Sequence, residues 1–144
     1  MKFKLVFVFS LLLVLVLAAC GGSGTAVVNP NIAAAQTGEL TLAETVDVQT
    51  VAGIMNRDDV VLIDVREQFE YDEGHIPGVT LIPLGELAQR LDEIPTDKTV
   101  IMTCRSDNRS GQATDFLRQN GFDNVHNMDG GINAWKQAGL EVEQ

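Results

Sequence analysis

Thr99-Val100-Ile101-Met102-Thr103-Cys104-Arg105-Ser106-Asp107-Asn108-Arg109-Ser110-Gly111 is the stretch that decides the architecture. Val100-Ile101-Met102 is apolar without interruption, and a second periodicity begins beyond the polar run, with Ala113, Phe116 and Leu117 on one helical face ending at Gly121. A continuous apolar run marks a strand covered on both faces, as in a parallel sheet. The segment therefore reads as a buried strand, a polar corner at Cys104 and a helix. In parallel sheets ligands bind beyond the C-terminal ends of the strands. Cys104 stands at that place.

Outward from this corner the same grammar repeats. Val60-Val61-Leu62-Ile63 is another doubly covered strand, and Val79-Thr80-Leu81-Ile82 and Asn124-Val125-His126 are shorter candidates. Asp47 is placed as the N-cap of a short helix reaching about Met55, with Val46 and Val51 as its hydrophobic staple. Leu84, Leu87, Ala88 and Leu91 follow helical spacing, and so do Ile132, Trp135 and Ala138 before Gly139. Strands alternating with helices predict an α/β domain with a mainly parallel sheet over residues 43–144. About 100 residues suffice for one core.

The polar corner carries the chemistry. A loop curled there aims backbone N–H groups inward, the following helix adds its positive N-terminal dipole, and Arg105 and Arg109 add full charges. Each favours the thiolate, the nucleophilic form of cysteine. A buried free cysteine is more often an inert core residue, but two arginines and a polar run directly after Cys104 argue against that here.

Cys104-Arg105-Ser106-Asp107-Asn108-Arg109-Ser110 resembles the active-site loop of the rhodanese family, typically Cys-Arg-Ser-Gly-Asn-Arg-Ser in single-domain members, with Asp107 the one departure. Asp64-Val65-Arg66-Glu67, Gly74-His75-Ile76-Pro77-Gly78 and Gly130-Gly131-Ile132 with Trp135 resemble three further motifs of that family, in the same order. The resemblance covers roughly residues 45 to 142. It implies a rhodanese-like fold, a five-stranded mainly parallel sheet with helices on both faces, and sulfur transfer through a cysteine persulfide. On this reading Cys104 takes sulfur from a small anionic donor such as thiosulfate and yields it to an external thiol or a cyanide-like acceptor. Arg105, Ser106, Asp107, Asn108 and Arg109 are the candidate substrate-binding residues, with Arg105 and Arg109 holding the donor. Both resting and loaded sulfurs are anionic, so the loop must supply preorganised donors rather than a general base. Asp107 adds negative charge to an anion-binding loop: pointing outward it lowers donor affinity, and otherwise it favours a less charged donor.

Other conspicuous residues have plainer readings. His75, followed by Ile-Pro-Gly, reads as a hydrogen-bonding turn residue, and Asp64 and Arg66 as partners of nearby loop and helix groups. Glu67, Glu70, Asp72 and Glu73 read as a solvated helix face, and Trp135 and Phe116 as core. Phosphatases that share the fold use Cys-x5-Arg, whereas here the arginine at Arg109 makes Cys-x4-Arg, a loop too tight for a phosphate tetrahedron. A non-catalytic rhodanese-like module displaying a docking or sensor surface is the alternative from a different class; the cysteine and both arginines argue for catalysis.

The whole chain has 144 residues, 45% of them hydrophobic, and a formal charge of −10. That length fits one domain with an extra segment. The acidic balance argues against nucleic acid or anionic lipid as a charge-held partner. Two cysteines, Cys20 and Cys104, and two histidines offer no metal-ligand set, so neither metal nor cofactor is expected. Oligomeric state is not legible.

The extra segment is N-terminal. Lys2 and Lys4 precede a nearly unbroken apolar run, Leu5 to Leu17, which at 13 residues is short of the roughly 20 a membrane-spanning helix needs. With Leu17-Ala18-Ala19-Cys20 after it, the run resembles a bacterial lipoprotein signal: residues 1–19 removed, Cys20 diacylated, and two acyl chains sufficient for a stable anchor. Loss of Lys2 and Lys4 leaves eight basic against twenty acidic residues, a charge of −12. Residues 20–42, poor in aromatic residues and rich in Gly, Ala, Ser and Thr, read as a tether spanning roughly 25 Å. The expectation is an extracytoplasmic domain held by lipid at a bacterial cell membrane.

Overall fold

A computed structural model describes residues 40–144. The signal segment, Cys20 and nearly all of the expected tether lie outside the described residues.

Five short strands form one sheet: β1 (Thr45–Val46), β2 (Val60–Asp64), β3 (Thr80–Leu81), β4 (Thr99–Thr103) and β5 (Val125–Met128). They lie in the order β1-β5-β4-β2-β3, and every neighbouring pair is parallel. The helices are α1 (Val48–Ile54), α2 (Gln68–Asp72), α3 (Asn108–Gln119) and α4 (Gly131–Gln137). The α/β expectation holds, and the sheet is parallel throughout.

The unbroken apolar runs of β2 and β4 have the physical cause inferred from them. Along β4, Val100 and Met102, with Cys104 just past its end, enter a core cluster with Ala113 and Leu117 of α3, while Ile101 enters a second cluster with Val51 of α1 and Ile132 and Trp135 of α4. Along β2, Ile63 goes to the first cluster and Val60 and Leu62 to the second. With alternate side chains bound for different helical layers, neither face of the strand tolerates a polar position. Two-residue periodicity thus sets Cys104 on the α3 side of the sheet.

Asp47 caps α1 as expected, its Oδ1 accepting from the N–H groups of Gln49 and Thr50 at 3.0 Å each. Val46 and Val51 are both buried in the same cluster.

The helix expected over Leu84–Leu91 is a correction. The chain forms two 3-10 turns, Leu87–Gln89 and Leu91–Glu93, broken at Arg90, whose φ of −123° and ψ of 27° are not helical. Each hydrogen bond there spans three residues, as from Leu87 N to Leu84 O and Arg90 N to Leu87 O. Leu84, Leu87 and Leu91 still pack on the first cluster, because a spacing of three serves a 3-10 turn as well as an α-helix; Ala88 faces solvent. Ile94 is extended, as the residue before Pro95 must be. The packed region also begins earlier than expected, since Leu40 and Leu42 rest on the second cluster.

Candidate active site

β4 ends at Thr103 and α3 begins at Asn108, so Cys104 to Asp107 form the corner. Cys104 is 1% exposed, and its Sγ accepts from Ser110 Oγ at 3.4 Å. Ser110 Oγ also lies 3.1 Å from Asp107 O, so its one proton serves either acceptor. Arg105, Ser106 and Asn108 are exposed, while Asp107 and Arg109 are half-buried. Among the described residues, no protein acceptor takes the backbone N–H groups of Arg105 to Arg109. Five consecutive donors at the start of a helix, left without partners, make a site for an anion.

Asp107 has φ 75° and ψ −21°, the left-handed region, and is the only described non-glycine residue with positive φ. Glycine adopts that region without steric cost, and aspartate is among the few side-chain-bearing residues that tolerate it. Aspartate in place of the glycine of the resembled motif adds a negative charge at a φ that both residues can adopt.

The floor of the loop is held by α4. Ile132 N donates to Cys104 O at 2.8 Å and Asn133 N to Arg105 O at 3.1 Å. Gly131, at φ 56°, lies so close that a Cβ there would strike Cys104 O and come within 2.7 Å of Arg105 C and 2.8 Å of Ser106 N. The Gly-Gly segment is therefore a seat for the cysteine loop, a role its sequence did not disclose.

A chain of ion pairs supports the loop from the other side. Asp64 and Arg66, both buried, pair through Arg66 Nη2 and Asp64 Oδ2 at 2.6 Å, and Arg66 also donates to the carbonyls of Glu70 and Gly74. This is the structural role expected of them. Arg109 makes a bidentate pair with Glu70 at 2.6 and 2.7 Å. The Arg109 guanidinium holds the Glu70 carboxyl down at about 2, and Glu70 in turn pushes Arg109 up. One expectation changes here. Glu70 is not part of a solvated face like Glu67, Asp72 and Glu73 but a half-buried partner, with a side chain 13% exposed. Arg109 already has its carboxylate, leaving Arg105 as the loop cation without an ion pair among the described residues. Glu70 also closes a capping box at the start of α2, accepting from Glu67 N at 3.2 Å, a role the sequence reading did not assign to it.

His75 plays its expected turn role. Its ring stacks on Tyr71 with centroids 3.7 Å apart, and its backbone pairs with that of Glu143. Cys20, the expected lipidation site, lies outside the described residues.

A family model described as a rhodanese-like domain matches residues 47–138, more than half of the chain. A protein of Allochromatium vinosum named sulfurtransferase is 39% identical over 89 residues, covering 62% of this chain and 83% of that protein. A thiosulfate sulfurtransferase GlpE of Pseudoalteromonas translucida is 34% identical, covering 59% of this chain and 81% of that one. An uncharacterized Bacillus subtilis protein, YqhL, is 49% identical over 74 residues, and the match spans 59% of its length. The crystal structure of a rhodanese-related protein from Thermoplasma volcanium superposes with a TM-score of 0.65 at 30% identity, covering 70% of this chain and 98% of that one.

Proposed function

This chain belongs to the rhodanese-like domain family, and from that premise we propose that it transfers a sulfane sulfur from a small anionic donor such as thiosulfate to a thiophilic acceptor through a persulfide on Cys104. The observation that carries the reading is the row of unpartnered N–H groups from Arg105 to Arg109 beside Cys104. In the first step Cys104 Sγ, as thiolate, attacks the outer sulfur of thiosulfate. The new S–S bond forms as the old one breaks, sulfite departs with the electron pair, and Cys104–S–S⁻ remains. In the second step cyanide or a thiolate attacks the outer sulfur and Cys104 leaves as thiolate, with no proton moved in either step.

Because Sγ is buried, loading also changes reach, moving the reacting sulfur about 2 Å beyond Sγ. Arg105 and the loop amides hold the donor; Arg109 acts through its pair with Glu70 to place the start of α3. The same proposal sets the domain at an extracytoplasmic face, anchored by lipid on Cys20.

Incubating the full chain with thiosulfate should add one sulfur to Cys104 by intact mass, and cyanide should then release it as thiocyanate. Cys104→Ser should abolish both while leaving the denaturation midpoint close to wild type; turnover surviving in that variant would remove Cys104 from the mechanism. In a bacterial host the chain should incorporate labelled palmitate, and equal labelling of Cys20→Ala would refute the anchor.

A further inference from the structure

Phe69 is 65% exposed and joins neither core cluster. It forms one side of a cleft of about 290 Å³ whose other sides come from the cysteine loop, through Arg105, and from α4, through Asn133 and Lys136. That volume is near the lower end of the range for organic-ligand sites. At about 30 Å³ per water-sized unit it has room for roughly ten atoms, and thiosulfate has five.

The charges of the cleft are selective. Arg66 is matched by Asp64, and Glu70 by Arg109. Arg105, Lys136 and Glu73 line it with no ion pair of their own among the described residues. The open charges thus sum to one positive on a chain of −10, which matches a single carboxylate on the body of a ligand.

We propose that this cleft receives the body of the sulfur acceptor, a carboxylate-bearing organic thiol with a flat apolar portion. The apolar portion lies against Phe69, whose ring rewards stacked or edge contacts. The carboxylate is met by the forked Arg105 guanidinium and by Lys136. Arg105 belongs to both the cleft and the loop, so an acceptor seated there meets the residue that directly follows Cys104. Its thiolate, R–S⁻, attacks the outer sulfur of Cys104–S–S⁻; the Cys104 Sγ–S bond breaks, and R–S–S⁻ and Cys104 thiolate result, with charge conserved and no outside reductant. The inference rests on the sulfurtransferase reading and adds the class of acceptor.

The test uses the full chain, loaded with thiosulfate and verified by mass, then discharged by four acceptors: 2-mercaptobenzoate, with ring and carboxylate; thiophenol, with ring only; mercaptoacetate, with carboxylate only; and cyanide. Each acceptor is compared across wild type, Phe69→Ala and Lys136→Gln, so that intrinsic nucleophilicity cancels. Both substituted side chains are exposed, and neither change endangers the fold. Phe69→Ala should lower kcat/KM about fivefold for 2-mercaptobenzoate and thiophenol, and Lys136→Gln about threefold for 2-mercaptobenzoate and mercaptoacetate. Cyanide should be unaffected in both. Unchanged organic-thiol rates, or equal losses with cyanide, overturn the acceptor cleft while leaving the loaded cysteine intact. Failure of wild type to load with thiosulfate at all overturns the sulfurtransferase reading, and the cleft's role with it.

Discussion

The pair between Arg109 and Glu70 links the charge state of one carboxylate to the stability of the site. Glu70 ionises near 2 in the fold against an ordinary value of 4.5. Between those limits the unfolded chain binds the proton and the folded chain does not, so stability falls as pH falls through that window. The contribution is fully present above about pH 4.5, amounts to at most about 3 kcal/mol, and is more than half gone by pH 3. Urea denaturation of wild type and Glu70→Gln should show a clear gap at pH 7 that narrows at pH 3; a gap independent of pH would mean that the ion pair contributes nothing. Asp107 makes a second case. Replacing it by glycine relieves a left-handed conformation but loosens the unfolded chain, effects of about 1 kcal/mol each with opposite sign. Asp107→Gly should therefore leave stability within about 1 kcal/mol and lower the thiosulfate KM about threefold at low salt by removing a repelling charge. Because salt screens exposed charges, the advantage should shrink at high ionic strength. A KM unmoved at low salt would show that Asp107 does not face the donor.

At the scale of the elements, the loop between β4 and α3 takes its shape from α4 as much as from its own residues. Gly131→Ala places a methyl group against the backbone of Cys104, Arg105 and Ser106 at a positive φ, and none of those atoms can swing aside. We expect a loss of about 1–3 kcal/mol and a fall of at least tenfold in the rate of persulfide formation, measured by mass, because the N–H row moves with the loop. A wild-type rate would mean that α4 does not set the loop. This dependence also shows what sequence could and could not say. β2 and β4 were legible because each serves two core clusters, and the cysteine corner because its residues are contiguous. The contact of Arg109 with Glu70 spans 39 positions and leaves no local pattern, so Glu70 looked like one more surface acid. The segment after Pro83 departs from the pattern for another reason: Leu84 and Leu87, three apart, satisfy a 3-10 turn and an α-helix alike, and the spacing does not report the break at Arg90.

For the molecule as a whole, the number of thiols decides how a loaded site is emptied. The chain has two cysteines, and with Cys20 blocked by a lipid thioether, as proposed, Cys104 is its only free thiol. Among the described residues Cys104 has no cysteine partner and sits buried, shielded by Ser110 and the loop. An intramolecular disulfide cannot form, so no internal thiol can displace the sulfur. On that proposal discharge requires an external acceptor, and repair of an oxidised Cys104 an external reductant, a serious constraint at the extracytoplasmic face proposed above, since disulfides persist there. Burial acts in the same direction, because a second copy of the chain cannot bring its own Cys104 into contact with the first. We expect the loaded full chain to keep its added sulfur over many minutes when alone and to lose it promptly on addition of cyanide, sulfite or a small thiol, followed by mass over time. Rapid loss from the isolated chain, with the cysteine recovered unoxidised, would show that discharge needs no partner.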